Sequence, residues 1–242
     1  MSRARAAAAA ARMAPWALAA ATALASAPAL AAPPGAARPA SGALAGAVAR
    51  VEVVVTDAAG RPLPDAVLWV RTAGDGAPPA PPREPVPLEQ RDREFVPRVT
   101  VVQTGTRVAF PNRDQLLHHV YSFSPAKRFE LKLYEGDPPA PVTMDRAGVV
   151  AVGCNIHDWM QAYVVVVDTP HFARTDAQGR ASIARLPAGE HELRAWHPLQ
   201  KADVAPRALR LAAARGEARF SIDVYAPRPR AKPPLDPDGY GG

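Results

Sequence analysis

The stretch VVAVGCNIHDWMQAYVVVV, from Val149 to Val167, joins two valine-rich runs through a short polar segment. Each run has the length and β-branched composition of a strand, and the residues between them favour a turn. We therefore predict two neighbouring strands joined by the loop GCNIHDWMQ. That loop carries the only cysteine of the 242 residues, Cys154, followed at intervals of three by His157 and Met160.

Short β-branched runs separated by turn residues continue on both sides of this stretch. Examples are VEVVVTD at 51–57, RVTVVQTG at 98–105 and RFELKLY at 128–134. Helical periodicity is nearly absent beyond the N-terminus. The segment 205–219 fits either a short helix or two strands around a glycine, and we favour strands. The pattern predicts an all-β protein built from antiparallel sandwiches.

The N-terminus has the layout of a secretory signal peptide. Three arginines precede an apolar, alanine-rich stretch that ends in the small-residue pattern ALA at 29–31. We predict a signal peptide at 1–31, cleaved near Ala31, and a periplasmic protein without membrane association after cleavage. A short membrane anchor is less favoured, because the stretch is short and rich in alanine.

Charge and proline content limit the remaining possibilities. The formal charge of +6 falls to +3 without the three N-terminal arginines, and no basic cluster remains, so we expect no nucleic-acid partner. Many of the 28 prolines lie in three segments. We predict a linker at 32–47, an exposed loop at 78–87 and a disordered tail at 227–242.

The loop after Val152 offers donors for a metal ion. A thiolate and an imidazole on one tight loop can face one ion, and a thioether three residues on can reach it axially. A second imidazole would complete the His2Cys plane with a weak axial Met that holds blue copper. Adjacent strand residues point to opposite faces, so only one of His118 and His119 can face Cys154. Zinc prefers four strong ligands and iron–sulfur clusters need more thiolates, which favours one copper ion.

These residues resemble the cupredoxins, and the ligand-loop spacing is most similar to that of amicyanin. The matching motifs are NRDQLLHHV at 112–120 and GCNIHDWM at 153–160. The resemblance implies that Asn112 ends a strand, and that His118, by its six-residue offset, is the first ligand. The other three are Cys154, His157 and Met160. It also implies a Greek-key sandwich, a single type 1 copper ion and an exposed His157 that passes electrons to a partner.

A second resemblance concerns the flanking segments. VEVVVTDAAGRPLPDAVLWV at 51–70 and ARTDAQGRASIARLPAGEHELRAWHP at 173–198 are similar to the carboxypeptidase-regulatory-like, transthyretin-like sandwich. We predict that 48–72 and 170–226 form this second small antiparallel sandwich and that a cupredoxin domain at 88–168 is inserted into it. The alternative is one larger sandwich that includes 51–70. The segment 95–198 also resembles exported proteins labelled methylamine-utilization proteins.

The leading functional hypothesis is a periplasmic copper protein that carries single electrons between redox partners, without enzymatic activity or a small-molecule substrate. A copper chaperone or storage protein with the same ligands is the alternative, although methionine-rich runs are absent. A structural or carbohydrate-binding sandwich with a vestigial metal loop is a third. A second metal site at His119, His171 or His197 is less favoured. We expect Trp159 to pack or to line the site, and we assign one group of charges to a solvated rim: Arg113, Asp114, Lys127, Arg128 and Glu130.

Overall fold

A computed structural model describes residues 48–72, 80–138, 140–212, 214–227 and 233–234. The predicted signal peptide at 1–31 and linker at 32–47 lie outside these residues. Most of the predicted tail at 227–242 also lies outside them. In the proline-rich segment, residues 80–87 are largely exposed.

The described residues form 17 strands and no helix. The strands are β1 (Val48–Asp57), β2 (Val67–Thr72), β3 (Val86–Pro87), β4 (Glu89–Arg91), β5 (Glu94–Val96), β6 (Val99–Gln103), β7 (Arg107–Ala109), β8 (His118–Ser124), β9 (Lys127–Tyr134), β10 (Val142–Thr143), β11 (Gly148–Cys154), β12 (Gln161–Val167), β13 (Phe172–Arg174), β14 (Arg180–Pro187), β15 (Gly189–Trp196), β16 (Arg207–Leu211) and β17 (Arg215–Ile222). The all-β prediction is confirmed. The ambiguous segment at 205–219 contributes two strands, as predicted. No membrane-crossing helix occurs in the part of the chain that is described.

The first and last strands of the chain build one sandwich, here called the terminal sandwich. A sheet in the order β14-β1-β17 faces a sheet in the order β13-β2-β15-β16. The burial pattern of strand β1 agrees with this packing. Every second side chain from Ala49 to Asp57 is buried, the period expected of a strand with one face on a core. These two sheets share one hydrophobic cluster, to which Leu68, Leu186 and Leu193 contribute fully buried side chains.

The middle of the chain builds the other sandwich, here called the central sandwich. A five-stranded sheet in the order β6-β12-β11-β8-β9 faces the sheet β10-β7-β3 and the hairpin β4-β5. The chain crosses between the two sheets after β6, β7, β9 and β10, so only β8-β9 and β11-β12 of the five-stranded sheet are neighbours that are also consecutive along the chain. The shared cluster contains Phe110, Met144 and the two sulfur-bearing residues Cys154 and Met160.

Strand β12 packs on both of its faces. Val164 and Val166 lie in the cluster of the central sandwich, whereas Val165 and Val167 lie in a smaller cluster with Val67 of β2. This double burial explains the run of four valines, because a strand covered on both sides has no polar face to alternate with. The run therefore anchors β12, the strand that follows the metal-ligand loop, in two hydrophobic clusters.

Candidate metal centre

The loop Asn155–Met160 is held between two paired strands. Strands β11 and β12 pair antiparallel from Gly148–Val166 to Gly153–Gln161, as the valine runs predict. The backbone N–H of Met160 donates to the carbonyl of His157 at 2.9 Å and closes the loop on itself. The N–H of Asn155 donates to the carbonyl of His119 at 2.9 Å, which joins the loop to β8.

Strand β8 separates the two adjacent histidines onto opposite faces. His118 is fully buried, and its Nδ1 lies 3.6 Å from the Sγ of Cys154. His119 points away, with its Nε2 2.9 Å from a carboxylate oxygen of Glu130. The pleat therefore brings His118 into the cluster and leaves His119 outside it, in the arrangement that strand alternation predicts.

Three donor atoms converge at the centre of this cluster. Nδ1 of His118 and Nδ1 of His157 are 3.1 Å apart, and each lies 3.6 Å from Sγ of Cys154. The point equidistant from three atoms with these separations is about 2 Å from each, the length of a metal–nitrogen bond in proteins. The set is therefore the right size to hold one metal ion, and its residues are all buried.

Met160 belongs to the same packed region. Its side chain is 2% exposed and lies in the hydrophobic cluster that includes Cys154. Thus the structure brings His118, Cys154 and His157 together at ligand distances, and Met160 lies in the same loop as His157 and in the same hydrophobic cluster as Cys154.

The surroundings adjust the protonation of these donors. Burial raises the pKa of the Cys154 thiol, but hydrogen bonds from His118 and from the backbone of His119 and Ile156 outweigh it and bring the pKa below its ordinary value. Burial, together with the charge of His118, lowers the pKa of His157. A thiolate and a neutral imidazole are the forms that bind metals, so both shifts favour a metal-binding state.

The pKa of His118 moves the other way. Burial lowers it, but the hydrogen bonds to Cys154 and to the carboxylate of Asp114 together raise the pKa above its ordinary value. Nε2 of His118 lies 2.9 Å from Oδ2 of Asp114. This contact engages the nitrogen that faces away from the centre and leaves Nδ1 to face Cys154.

Asn112 organises the loop that leads to His118. Its side-chain amide donates to the carbonyl of Leu116 at 2.7 Å and to that of Tyr134 at 3.0 Å, and its oxygen accepts from the N–H of Asp114 at 2.9 Å. The residue is 3% exposed. These bonds hold the segment before β8 against the end of β9, so they fix where His118 begins its strand.

His157 is not the exposed residue that the family resemblance implies. It is 2% exposed, and the ring of Trp159 lies 5.2 Å from its ring. The indole N–H of Trp159 donates to the carbonyl of Arg93, at the tip of the β4-β5 hairpin, at 3.1 Å. The expectation of a surface histidine is therefore wrong, because the ring is buried and Trp159, which is bonded to this hairpin, packs against it.

Asp114 makes a contact with His118 that the sequence did not predict. The sequence predicts that Asp114 belongs to a solvated rim, yet its side chain is only 11% exposed and bonds to His118. Its position four residues before His118 is the only signal in the sequence that could have suggested the contact. The solvated-rim assignment is therefore wrong for Asp114.

The remaining histidines do not form a second site. His197 bonds to the carbonyl of Pro64 and to the N–H of Leu199, and His191 bonds to the carbonyl of Pro187. Within the described residues, His118, Cys154 and His157 form the only group of three or more potential ligands.

No family model and no curated protein matches this chain. Solved structures with some similarity include an oxidised amicyanin variant, with 21% identity, 34% of this chain and 82% of that one covered, and a TM-score of 0.31. Amicyanin from Paracoccus versutus has 16% identity, 36% and 84% coverage and a TM-score of 0.31. A purple cupredoxin from Nitrosopumilus maritimus has 18% identity, 34% and 99% coverage and a TM-score of 0.31. At these TM-scores the likeness is too weak to assign a family or a function to this chain.

Proposed function

We propose that this protein is an exported type 1 copper protein that carries single electrons between redox partner proteins in the periplasm. The observation that carries the proposal is the buried triangle of His118, Cys154 and His157, whose donor atoms lie 3.1–3.6 Å apart. In the proposed site Met160 is the weak fourth ligand. The protein performs no substrate chemistry of its own.

The donor types favour copper over other metals. A thiolate and a thioether suit Cu(I), while imidazole suits both oxidation states. Zinc sites usually have four strong ligands, and a methionine is a poor substitute. Bound at this centre, copper would supply a Cu(II)/Cu(I) couple that takes one electron from a reduced partner and gives it to an oxidised one.

The protein frame supports a carrier function. Cys154 ends β11 and His118 begins β8, and the two strands are paired at Cys154–Val120. Donors that are fixed by paired strands in advance need little rearrangement when the charge of the bound ion changes. Fast exchange of one electron requires this rigidity, whereas delivery of copper to another protein requires ligands that can be released.

Copper loading and electrochemistry test the proposal together. We expect the Cu(II)-loaded protein to show an intense visible thiolate-to-copper band and a reversible one-electron couple. Cys154→Ser should abolish the band, and His119→Gln should keep it because that ring faces Glu130. A band that persists in Cys154→Ser would refute the ligand set. Rapid copper exchange without a reversible couple would instead favour the chaperone alternative.

Export is tested separately. We expect the protein recovered from the periplasmic fraction to begin near Ala32, after removal of residues 1–31. Sequencing the N-terminus of the purified protein measures this directly, and a protein retained in the cytoplasm with residue 1 intact would contradict it.

A further inference from the structure

We propose that Asp114 is a positioning residue for both histidine ligands of the metal centre, His118 and His157. One carboxylate holds the ring of His118 and also holds the turn at Asp92–Arg93, which carries the cover over His157. The inference rests on the proposed copper function, because it concerns how the donors of that centre are held.

The first contact fixes the His118 ring. Its Nε2 lies 2.9 Å from Oδ2 of Asp114, in a pocket where the histidine side chain is fully buried. A histidine ring can rotate about its last bond and present either nitrogen to the centre. A carboxylate that accepts from Nε2–H selects one orientation and strengthens the donation from Nδ1.

The second set of contacts fixes the β4-β5 turn. The N–H of Asp92 donates to Oδ1 of Asp114 at 2.6 Å, and the N–H of Arg93 donates to Oδ2 at 2.9 Å. Both turn residues have positive φ, 53° and 56°, a conformation that aspartate tolerates but arginine seldom adopts. The same carboxylate therefore stabilises a turn in which Arg93 has an unfavourable backbone conformation.

The turn at Asp92–Arg93 positions Trp159, the residue that covers the second histidine ligand, His157. The carbonyl of Arg93 accepts the indole N–H of Trp159, and the Arg93 guanidinium lies 5.5 Å from the centre of that ring. The Trp159 ring packs on His157. A continuous set of contacts thus runs from His118 through Asp114, Arg93 and Trp159 to His157.

The bond between Asp114 and His118 should affect the affinity of the centre for Cu(II) relative to Cu(I). A negative carboxylate bonded to a ligand ring favours the more highly charged ion, Cu(II), over Cu(I). Removal of such an outer partner weakens metal binding by about 10–100-fold in other proteins. Asp114→Asn should therefore weaken Cu(II) binding relative to Cu(I) by about tenfold, which corresponds to a rise in reduction potential of about 59 mV.

The first experiment needs no copper. In the metal-free protein, NMR should show a His118 Nε2–H resonance that exchanges slowly with solvent, assigned by its loss in His118→Gln. It should exchange rapidly in Asp114→Asn. A rapidly exchanging Nε2–H in the wild-type protein would overturn the proposal without any variant, so the test does not depend on how well Asp114→Asn folds.

The second experiment measures reduction potential and copper release to a chelator. Asp137→Asn is the matched control: it removes the same charge next to Gly136, whose carbonyl binds the N–H of Asn112, but its side chain is 74% exposed. We expect a higher potential and faster release in Asp114→Asn, and wild-type values in Asp137→Asn. Equal shifts in both variants would overturn the proposal. If the wild-type protein binds no copper, the carrier function fails, and the NMR result alone decides whether Asp114 positions His118.

Discussion

Both sandwiches bury histidine side chains, but the ring nitrogens of these histidines have different kinds of partner. In the central sandwich, His118 and His157 turn their Nδ1 atoms toward each other and toward Cys154. In the terminal sandwich, His197 is equally inaccessible, at 5% exposed, but its two nitrogens bond to backbone groups of Pro64 and Leu199. Burial of an imidazole is therefore no sign of a metal site, whereas the convergence of several donors on one point is.

The pKa values of His118 and His197 also shift in opposite directions. A thiolate and a carboxylate raise the pKa of His118, while burial lowers that of His197. Charged partners stabilise the protonated ring in the first case. In the second case the burial of His197 has the larger effect, so the neutral ring is favoured.

The largest expected effect is the loss of copper affinity when a histidine of the central sandwich is replaced. His118→Gln should weaken copper binding on the order of 1,000-fold, because loss of a ligand exceeds the roughly 10–100-fold effect of losing an outer partner. His197→Gln and His119→Gln should bind copper as the wild-type protein does. Competition titration against a chelator of known affinity measures all three. Equal losses in His118→Gln and His197→Gln would show that the two buried histidines do not differ in function.

The next effect concerns the terminal sandwich alone. Leu186 is fully buried in its hydrophobic cluster, and Leu186→Ala should lower the free energy of unfolding by about 3 kcal/mol through lost burial and the cavity left behind. The visible spectrum of the copper-loaded variant should not change. Denaturant unfolding provides the measurement.

The matched control for Leu186→Ala is Leu133→Ala on the exposed strand β9. Leu133 is 53% exposed, so its truncation should change the free energy of unfolding by about 0.5 kcal/mol or less. Equal losses in the two leucine variants would contradict the burial that defines the terminal sandwich.

A pH experiment sharpens the contrast between the two buried rings. Burial lowers the pKa of His197 below its ordinary 6.5, so the unfolded chain binds the proton more readily than the folded protein. The stability that the neutral ring contributes is complete above that ordinary value and is lost as the pH falls through the lower, folded value. Between about pH 7.5 and 5, the metal-free His197→Gln variant should therefore lose less unfolding free energy than the wild-type protein. Parallel pH profiles would contradict the lowered pKa.

The smallest expected effect concerns the cover over His157. Trp159→Phe keeps an aromatic ring but removes the N–H that donates to Arg93. Loss of one such hydrogen bond is worth about 1 kcal/mol, so copper should leave the variant about fivefold faster. Stopped-flow mixing with a chelator measures the rate. Tyr163→Phe, which removes only the hydroxyl of a ring that packs on Trp196 of the terminal sandwich, is the control and should release copper at the wild-type rate.

Much of this centre could be predicted from the sequence because it depends on local patterns. The valine runs predicted β11 and β12, and the spacing within GCNIHDWM placed a thiol, an imidazole and a thioether on one loop. Strand alternation predicted that His118 and His119 would point to opposite faces, and the structure places them so. Periodicity and turn chemistry act over a few residues, so they are legible in a single sequence.

The contacts that could not be predicted join residues far apart along the chain. Asp114 meets the turn at Asp92, 22 positions away, and Trp159 meets Arg93, 66 positions away. Nothing in the residue types at these positions specifies the pairing. For this reason the sequence predicts Asp114 in a solvated rim and the family resemblance implies His157 at the surface, and both differ from the structure.

The sequence by itself determined the all-β class, the strands around the loop and the identity of the candidate ligands, because strand period, turn residues and donor chemistry belong to short segments. Only the tertiary structure decided that the side chain of His118, already implied by the family resemblance, faces Cys154, which carboxylate holds it and what packs on His157. Those outcomes depend on the direction of the β8 pleat relative to the core and on the arrival of the β4-β5 hairpin at the β11-β12 loop. Packing between distant segments sets both, and local sequence does not.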